Sequence, residues 1–318
     1  MTRAQPMGTK MARKRKGLPI HGWLNIDKPI NLSSAGVVGR VRRATGAAKV
    51  GHAGTLDPLA TGVLPIALGE ATKTVPFAVN SKKTYRFSLK FGSATNTNDQ
   101  EGEITETSDI RPKRAEIIEI LPLFRGSIYQ VPPVYSAIKV NGRRAYELAR
   151  RSEEVKLVPR KVDIHSLTLM KIVDIDHVIF EVVSGKGAYM RSLARDIARA
   201  LNTVGHIAWL RRIAVGTFHT RNAISLDNLE MLGHSAAALN VLLPVETVLD
   251  DIPALALTKQ EANKLRRGQS VAFLPVAQRS VCQDIRQGDT VRTMNDGKLT
   301  ALAKIAGGEI RPVRVINL

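Results

Sequence analysis

Residues 51–73 read GHAGTLDPLATGVLPIALGEATK. From Gly51 to Gly62 the stretch is polar and rich in turn formers, whereas GVLPIALG, residues 62–69, is apolar. The apolar half must be buried, so the polar half is a loop laid directly against a core element, a place where function tends to sit. Only two carboxylates occur here, Asp57 and Glu70. Glu70 stands three residues before Lys73, the spacing of an ion pair on a helix. Asp57 lies between Gly54-Thr55 and Pro58. Asp-Pro after Gly-Thr is good turn chemistry, because an aspartate side chain can bond the backbone two residues on. Taken alone, Asp57 reads either as a turn residue or as a functional group.

Working outward, strands and helices interleave. In HGWLNIDKPINLSSAGVVGRVRRATG (21–46), Trp23, Leu24 and Ile26 supply a strand that Lys28-Pro29 stops. Ser33 or Ser34 then caps a helix with Val37, Val38 and Val41 on its apolar face, and Gly46 ends it. TYRFSLKF (84–91) alternates Tyr85, Phe87, Leu89 and Phe91 with polar neighbours, the pattern of a half-buried strand. The polar run from Thr95 to Asp109 has no periodicity and reads as a loop. HVIFEVVSGKG (177–187) is a strand running into AYMRSLARDIARALNTVG (188–205), where Leu193, Ile197 and Leu201 share one helix face. Strands mixed with helices, without regular βαβ spacing, predict an α+β (mixed α/β) fold around a central antiparallel or mixed sheet.

After LLPVETVLDDIPAL (242–255) the pattern changes. In TKQEANKLRRG (258–268), Thr258 and Glu261 have the spacing of a capping box and Gly268 that of a C-cap. SVAFL, DTVRTM, LTALAKIAG and EIRPVRVINL then read as short strands. One short helix followed by a small all-β unit is expected over residues 251–318. That unit carries eleven Lys and Arg against seven Asp and Glu, counted from Asp250.

The 318-residue chain has 47 Lys+Arg against 28 Asp+Glu, a formal net charge of +19. Charge of this size concerns partners rather than fold, and it points to nucleic acid. A membrane surface would ask for a basic amphipathic helix with a bulky apolar face, and none is evident. Residues 1–17 are polar, basic and non-periodic, so a disordered arm is expected. No apolar run approaches the roughly 20 residues of a membrane span, and Leu18–Ile20 is too short for a leader. The single cysteine, Cys282, excludes an intramolecular disulfide and a cysteine-rich zinc site. A cytoplasmic setting is the expectation.

Common catalytic motifs are missing. GEATKT (69–74) lacks the Gly-Lys-Ser/Thr triplet of a phosphate loop, and GHAG lacks dinucleotide-fold spacing. The seven histidines form no ligand pattern, and no serine sits in a nucleophile elbow. Neither a metal nor a cofactor is expected.

Residues 51–73 do resemble the signature of the TruB family of tRNA pseudouridine-55 synthases. Further blocks follow in the family's order: LNIDKPINLSS (24–34), KTYRFSLKFG (83–92), VPPVYSAIKVNGRRAYELAR (131–150), SGKGAYMRSLARDIA (184–198) and WLRRIAVGTF (209–218). The resemblance runs from about Gly22 onward. It implies a pseudouridine synthase fold with a catalytic domain over residues 18–250 and an RNA-contacting insertion at about 124–152. The tail is similar to the PUA-like RNA-binding domain of stand-alone members. The insertion resembles theirs too, rather than that of guide-dependent relatives. The implied partner is therefore the T-arm stem-loop of tRNA, with no guide RNA, obligate protein partner or membrane. A monomer is expected.

The implied reaction breaks the bond from uracil N1 to ribose C1′, turns the base and rejoins it through C5. Nothing is oxidised or added, so a nucleophile suffices, and a carboxylate can act through an oxocarbenium-like transition state as in retaining glycosidases. One carboxylate is enough because no water is activated. The resemblance makes Asp57 the nucleophile, with attack at ribose C1′ or base C6 left open. Tyr85 would stack on the uracil and remove the C5 proton. Arg191 would pair with Asp57, holding it charged and aimed at the sugar. Tyr189 would line the pocket and Leu210 would close its apolar wall. Lys28 belongs to the opening Lys-Pro motif and is a substrate-binding candidate. His52 would fill space vacated by flipped nucleotides. Lys139, Arg143 and Arg144 would contact phosphates. A second reading keeps the fold as a non-catalytic RNA-binding protein or tRNA folding chaperone. A third, a sugar–base hydrolase, lacks a second carboxylate.

Overall fold

The computed structural model describes residues 17–318 except 137, 141, 150, 152, 154, 156, 234–239 and 281–283, and it leaves aside the side chains of Lys139 and Arg144. The basic arm up to residue 16, Cys282 and the phosphate contacts expected of those two side chains thus lie outside the described residues.

The chain opens with β1 (Gly22–Lys28), α1 (Ser34–Thr45), β2 (Val50–His52), β3 (Thr61–Leu68), α2 (Val75–Asn80) and β4 (Lys83–Phe91). A hairpin of β5 (Ser93–Thr95) and β6 (Ile104–Thr107) leads to α3 (Arg114–Ile120) and β7 (Gly126–Gln130). A second small hairpin, β8 (Lys139–Val140) and β9 (Arg143–Arg144), is followed by α4 (Ala145–Ala149). Then come β10 (Arg160–Ile172), β11 (His177–Ser184), α5 (Met190–Ala200), β12 (Gly205–Val215), β13 (Phe218–His219), β14 (Ile224–Ser225) and α6 (Leu226–Leu232). The tail holds β15 (Ala254–Ala256), α7 (Lys259–Arg266), β16 (Val271–Ala272), α8 (Phe273–Arg279), β17 (Thr290–Asn295), β18 (Lys298–Ala306) and β19 (Glu309–Val315).

Among the described residues, ten strands form the main sheet, ordered β14-β1-β3-β12-β4-β11-β10-β7, with β2 beside β3 and β13 beside β12. Its pairs are antiparallel except β1 with β14 and β12 with β3, so the expected α+β fold has a mixed sheet. The apolar run behind Asp57 becomes β3, buried from Gly62 to Leu68 between β1 and β12. α1 starts where Ser33 accepts from the amide of Gly36 and stops at Gly46, whose φ of 67° suits a residue without Cβ. α5 buries Leu193 and Ile197, and Leu201 at its C-cap is buried with them, as expected. No helix among the described residues is long and apolar enough to cross a membrane.

β4 shows the expected alternation, with Phe87, Leu89 and Phe91 buried and Arg86 exposed, although Ser88 on the polar face is only 2% exposed. Three local expectations change. The run expected to be a loop contains the β5–β6 hairpin. All of β6 is exposed, so backbone pairing forms it without any apolar alternation. β7, inside the expected insertion, is an edge strand of the main sheet paired to β10. In the tail, SVAFL yields only the two residues of β16 before α8 begins, with Val276 fully buried. The tail is therefore not all-β after its first helix. The capping box of α7 does form, with Thr258 and Glu261 exchanging bonds of 2.8 and 3.3 Å. Gly268 lies one residue past the cap, at φ +79°.

The five-stranded tail sheet, β15-β17-β18-β19-β16, shares a core with the main sheet. Leu299, Leu302 and Ile316 pack into one cluster with Trp23, Val63, Val215 and Phe218. Glu70 and Lys73 do form their ion pair, at 2.6 Å. Both also hold the segment at and after the end of β19: Lys73 donates to the carbonyl of Val315 and Glu70 accepts from the amide of Asn317, each at 2.7 Å.

Candidate active site

The loop from Ala53 to Ala60 is held from both sides by buried cations. Lys28, fully buried, donates to the carbonyls of Pro29, Leu32 and Pro58 at 2.7–3.0 Å. Arg212, 1% exposed, donates to the carbonyls of Val63 and Gly54 at 2.7 and 3.0 Å. Ser34 at the start of α1 exchanges bonds with the backbone of Leu56, at 2.8 and 3.0 Å. Gly62 closes the loop at φ +99°, where a Cβ would stand 2.2 Å from the carbonyl oxygen of Arg212. The backbone under Asp57 is thus fixed by sequence-distant groups.

The Asp57 carboxylate lies 2.9 Å from the Arg191 guanidinium. Arg191, in the first turn of α5, is 6% exposed instead of lying on the helix surface. Its other contacts are the carbonyls of Thr97 and Tyr135, at 3.1 and 2.9 Å, and the carboxylate of Asp99 at 3.5 Å. Asp99 is itself buried, accepts from the Thr97 hydroxyl at 2.5 Å, and sits on the bend between β5 and β6. Burial, with Asp99 and Asp57 nearby, raises the pKa of Glu101. A buried cation thus connects one accessible and one inaccessible carboxylate.

A cleft of about 260 Å³ opens over this pair. Asp57, Tyr85, Tyr189, Arg191 and Leu210 all line it, so the structure brings five expected site residues together. β4 supplies Tyr85, β12 supplies Leu210, and Tyr189 caps α5. Buried Gln130, at the end of β7, accepts from the Tyr189 amide at 3.0 Å. Burial raises the Tyr189 phenol above its ordinary range.

Other expectations fall outside the cleft. Lys28 is corrected from substrate contact to loop anchor, since its donors are committed to carbonyls; burial pulls its pKa down to about 8 against the opposing pull of Asp57. His52 ends β2, half-buried, with Nδ1 unpartnered. Burial, assisted by Arg212, lowers its pKa and keeps the ring neutral at pH 7. Arg143 stands on β9 and pairs with Glu153 at 2.9 and 3.1 Å.

Sequence reasoning missed Asp99, Lys83, Lys186 and Arg212. Lys83 caps the C-terminus of α2 by donating to the carbonyls of Val79 and Ser81, and burial lowers its pKa to about 8. Lys186 reaches Asn80 at 3.1 Å. Among the described residues lining the cleft, Asp57 is the one carboxylate beside Lys83, Lys186, Arg191 and Arg212. Such a cleft suits a polyanion that must meet a carboxylate.

A family model described as TruB family pseudouridylate synthase (N terminal domain) matches residues 42–190. One described as tRNA pseudouridylate synthase B C-terminal domain matches residues 191–250. The tRNA pseudouridine synthase B of Rhodospirillum rubrum is 54% identical over 97% of this chain and 100% of its own. That of Caulobacter vibrioides is 50% identical over 97% and 100%. Among solved structures, a chain of a Cbf5-Nop10-Gar1 complex is similar at TM-score 0.72 and 25% identity, covering 93% of this chain and 85% of that one. A chain of an archaeal box H/ACA sRNP Nop10-Cbf5 complex is similar in fold at TM-score 0.71 and 22% identity, covering 96% and 93%.

Proposed function

The chain belongs to the TruB family of pseudouridylate synthases, and from that premise we infer that it is a tRNA pseudouridine-55 synthase. It is an isomerase that acts on the T-loop uridine, and its fold is the pseudouridine synthase fold. The observation that carries the site assignment is the 2.9 Å pair of Arg191 with Asp57 beneath a cleft lined by Tyr85.

The chemistry follows from that arrangement. The target base leaves its stack, at a cost of a few kcal/mol, and enters between Tyr85, Tyr189 and Leu210. Asp57 engages the nucleoside as nucleophile, and the N1–C1′ bond breaks. The freed base turns while held, C5 bonds to C1′, the bond to Asp57 breaks so that the carboxylate is regenerated, and Tyr85 takes the proton that C5 sheds. N1 acquires a proton, so no atom is gained or lost. Arg191 directs the carboxylate. Two backbone carbonyls and Asp99 hold the guanidinium before substrate arrives, which spares reorganisation during the reaction. Asp57, its side chain 41% exposed, stays reachable while that of Arg191 at 7% does not.

The T-arm stem-loop is the recognised element, read by loop shape and unstacked bases. The protein acts without guide RNA or an obligate protein partner, as a monomer. Support comes from relatives named for tRNA that match over nearly their full length. Residues 18–250 form the catalytic domain. Residues 251–318 form a PUA-like unit whose modest positive charge suits phosphate contact. Arg143, together with Lys139 and Arg144, serves the same purpose from the second hairpin, and His52 fills the space left by displaced bases.

The test uses an unmodified tRNA transcript with tritium at C5 of its uridines, incubated with purified protein. A single equivalent of tritium released per tRNA, and none with Asp57→Asn, is expected. No release by the wild type despite tight binding would transfer the assignment to a non-catalytic RNA-binding protein.

A further inference from the structure

We propose that Lys186 holds a backbone phosphate of the target nucleotide at the cationic end of the catalytic cleft, with Lys83 and Arg212 as fixed charges behind it. The proposal rests on the tRNA reading for its substrate.

Strand register gives the cleft two ends. Between β4 and β12, Arg212 pairs with Tyr85 and Leu210 with Phe87, so these four side chains share one face of the main sheet. Lys83 lies on that face two residues before Tyr85, about 7 Å along the strand. Ser184 of β11 pairs with Lys83, and the chain then passes through Gly185, Lys186 and Gly187 along the cleft wall before α5 begins. Tyr85 and Leu210 therefore face the base, while Lys83 and Lys186 lie beyond Tyr85 on the side away from Leu210. That offset is on the scale of a nucleotide from its base to its phosphate.

Charge at this end is unbalanced. Among the described residues lining the cleft, the one carboxylate is Asp57, and it is paired with Arg191. Lys83 and Arg212 are buried and spend donors on backbone carbonyls. Beyond the effect of burial, Arg212 and Lys186 each lower the pKa of Lys83, so the three cations stand within electrostatic reach of one another. Lys186 differs from the other two. It is exposed, and its ammonium donates to the neutral side-chain amide of Asn80 at 3.1 Å. An ammonium has three donors, so Lys186 can take a phosphate oxygen without giving up Asn80. The buried pair keeps the potential here positive, and a nucleotide with its base against Tyr85 brings an anion to meet it.

The experiment measures binding of full-length Asp57→Asn protein to synthetic T-arm stem-loops. In these, the phosphate on the 5′ or the 3′ side of the target uridine is replaced by a neutral methylphosphonate. One of the two replacements should weaken binding by about 10-fold, as loss of a charge-assisted hydrogen bond does. Lys186→Met in the same background should weaken binding of the unmodified stem-loop by a similar factor and reduce the log–log salt slope by about 1. The two losses should not add: the sensitive methylphosphonate should cost the Lys186→Met protein nothing more. Lys186→Arg keeps the charge and should bind within about 3-fold of its parent. Asn80→Ala removes the tether alone and should bind as its parent does. In enzyme with Asp57 intact, Lys186→Met should raise KM more than it lowers kcat. Undiminished affinity in Lys186→Met, methylphosphonate penalties equal in both backgrounds, or a loss reproduced by Asn80→Ala would overturn the proposal and leave Lys186 a loop anchor. If the wild type released no tritium while the coupling persisted, the isomerase reading would fail and the phosphate site would stand. Tritium release without coupling would mean the reverse.

Discussion

Asp57 is reachable because the group that orients it is not: Arg191 spends its donors on Thr97, Tyr135, Asp57 and Asp99 below the cleft floor. Asp57→Asn should abolish turnover and leave RNA binding largely intact, since phosphate contacts dominate affinity. Tritium release and a binding titration measured side by side check this; loss of both would make Asp57 a structural residue. Asp99→Asn should lower kcat on the order of 10- to 100-fold with little change in KM, because it loosens a positioning group rather than a binding one. Single-turnover rates would expose an Asp99 without influence. Tyr85→Phe should keep its stacking and lose proton transfer, a fall of about 10²- to 10⁴-fold. A near wild-type rate in that variant would remove Tyr85 as the base. Asp57, Tyr85 and Arg191 were readable because their neighbours form motifs. Asp99 was not, since it lies in a polar run without period and meets Arg191 only through the bend after β5.

Among the elements, α2 and β4 meet through Lys83, whose ammonium satisfies carbonyls at the helix end. Burial depresses its pKa from 10.5 to about 8, so its charged form is costly in the fold. Unfolding therefore takes up a proton between about pH 8 and 10.5, and the fold gains stability as pH rises through that window. Relative to Lys83→Met, the wild type should gain about 3 kcal/mol across it, following 1.36 kcal/mol per pKa unit. Denaturant melts at both ends of the window measure the difference, and a flat or falling one refutes the assignment. At α1 the cap was visible in sequence, and Ser33→Ala should cost about 1 kcal/mol. The β5–β6 hairpin and α8 were not visible. The hairpin is held by backbone pairing with β6 fully exposed, and α8 is decided by one buried contact, Val276.

For the molecule as a whole, a net charge of +19 predicts binding that weakens steeply with salt. Arg143→Ala with Arg144→Ala should weaken binding and reduce the log–log salt slope by about 1 to 2. Arg143 must first exchange Glu153 for phosphate. An unchanged slope would take both residues out of the interface. Truncation after Asp250 should give an unstable, aggregation-prone protein, because Leu299, Leu302 and Ile316 complete the cluster around Trp23 and Phe218. A truncated form with an unaltered melting temperature would show the two sheets to be independent. By itself the sequence determined the α+β class, the alternation of strands and helices, the basic character and the motif-borne residues of the cleft. The class, the alternation and the basic character follow from local periodicity, capping chemistry and composition, and the cleft residues follow from the resemblance of their motifs to those of a family; all of these are written along the chain. Tertiary structure alone decided that Lys28 anchors a loop instead of binding substrate, that Asp99 joins Arg191, and that Lys186 comes within reach of Lys83 and Arg212. It also decided that the tail shares the main core. Each depends on which distant residues become neighbours when apolar surface is buried, and spacing along one chain does not encode that.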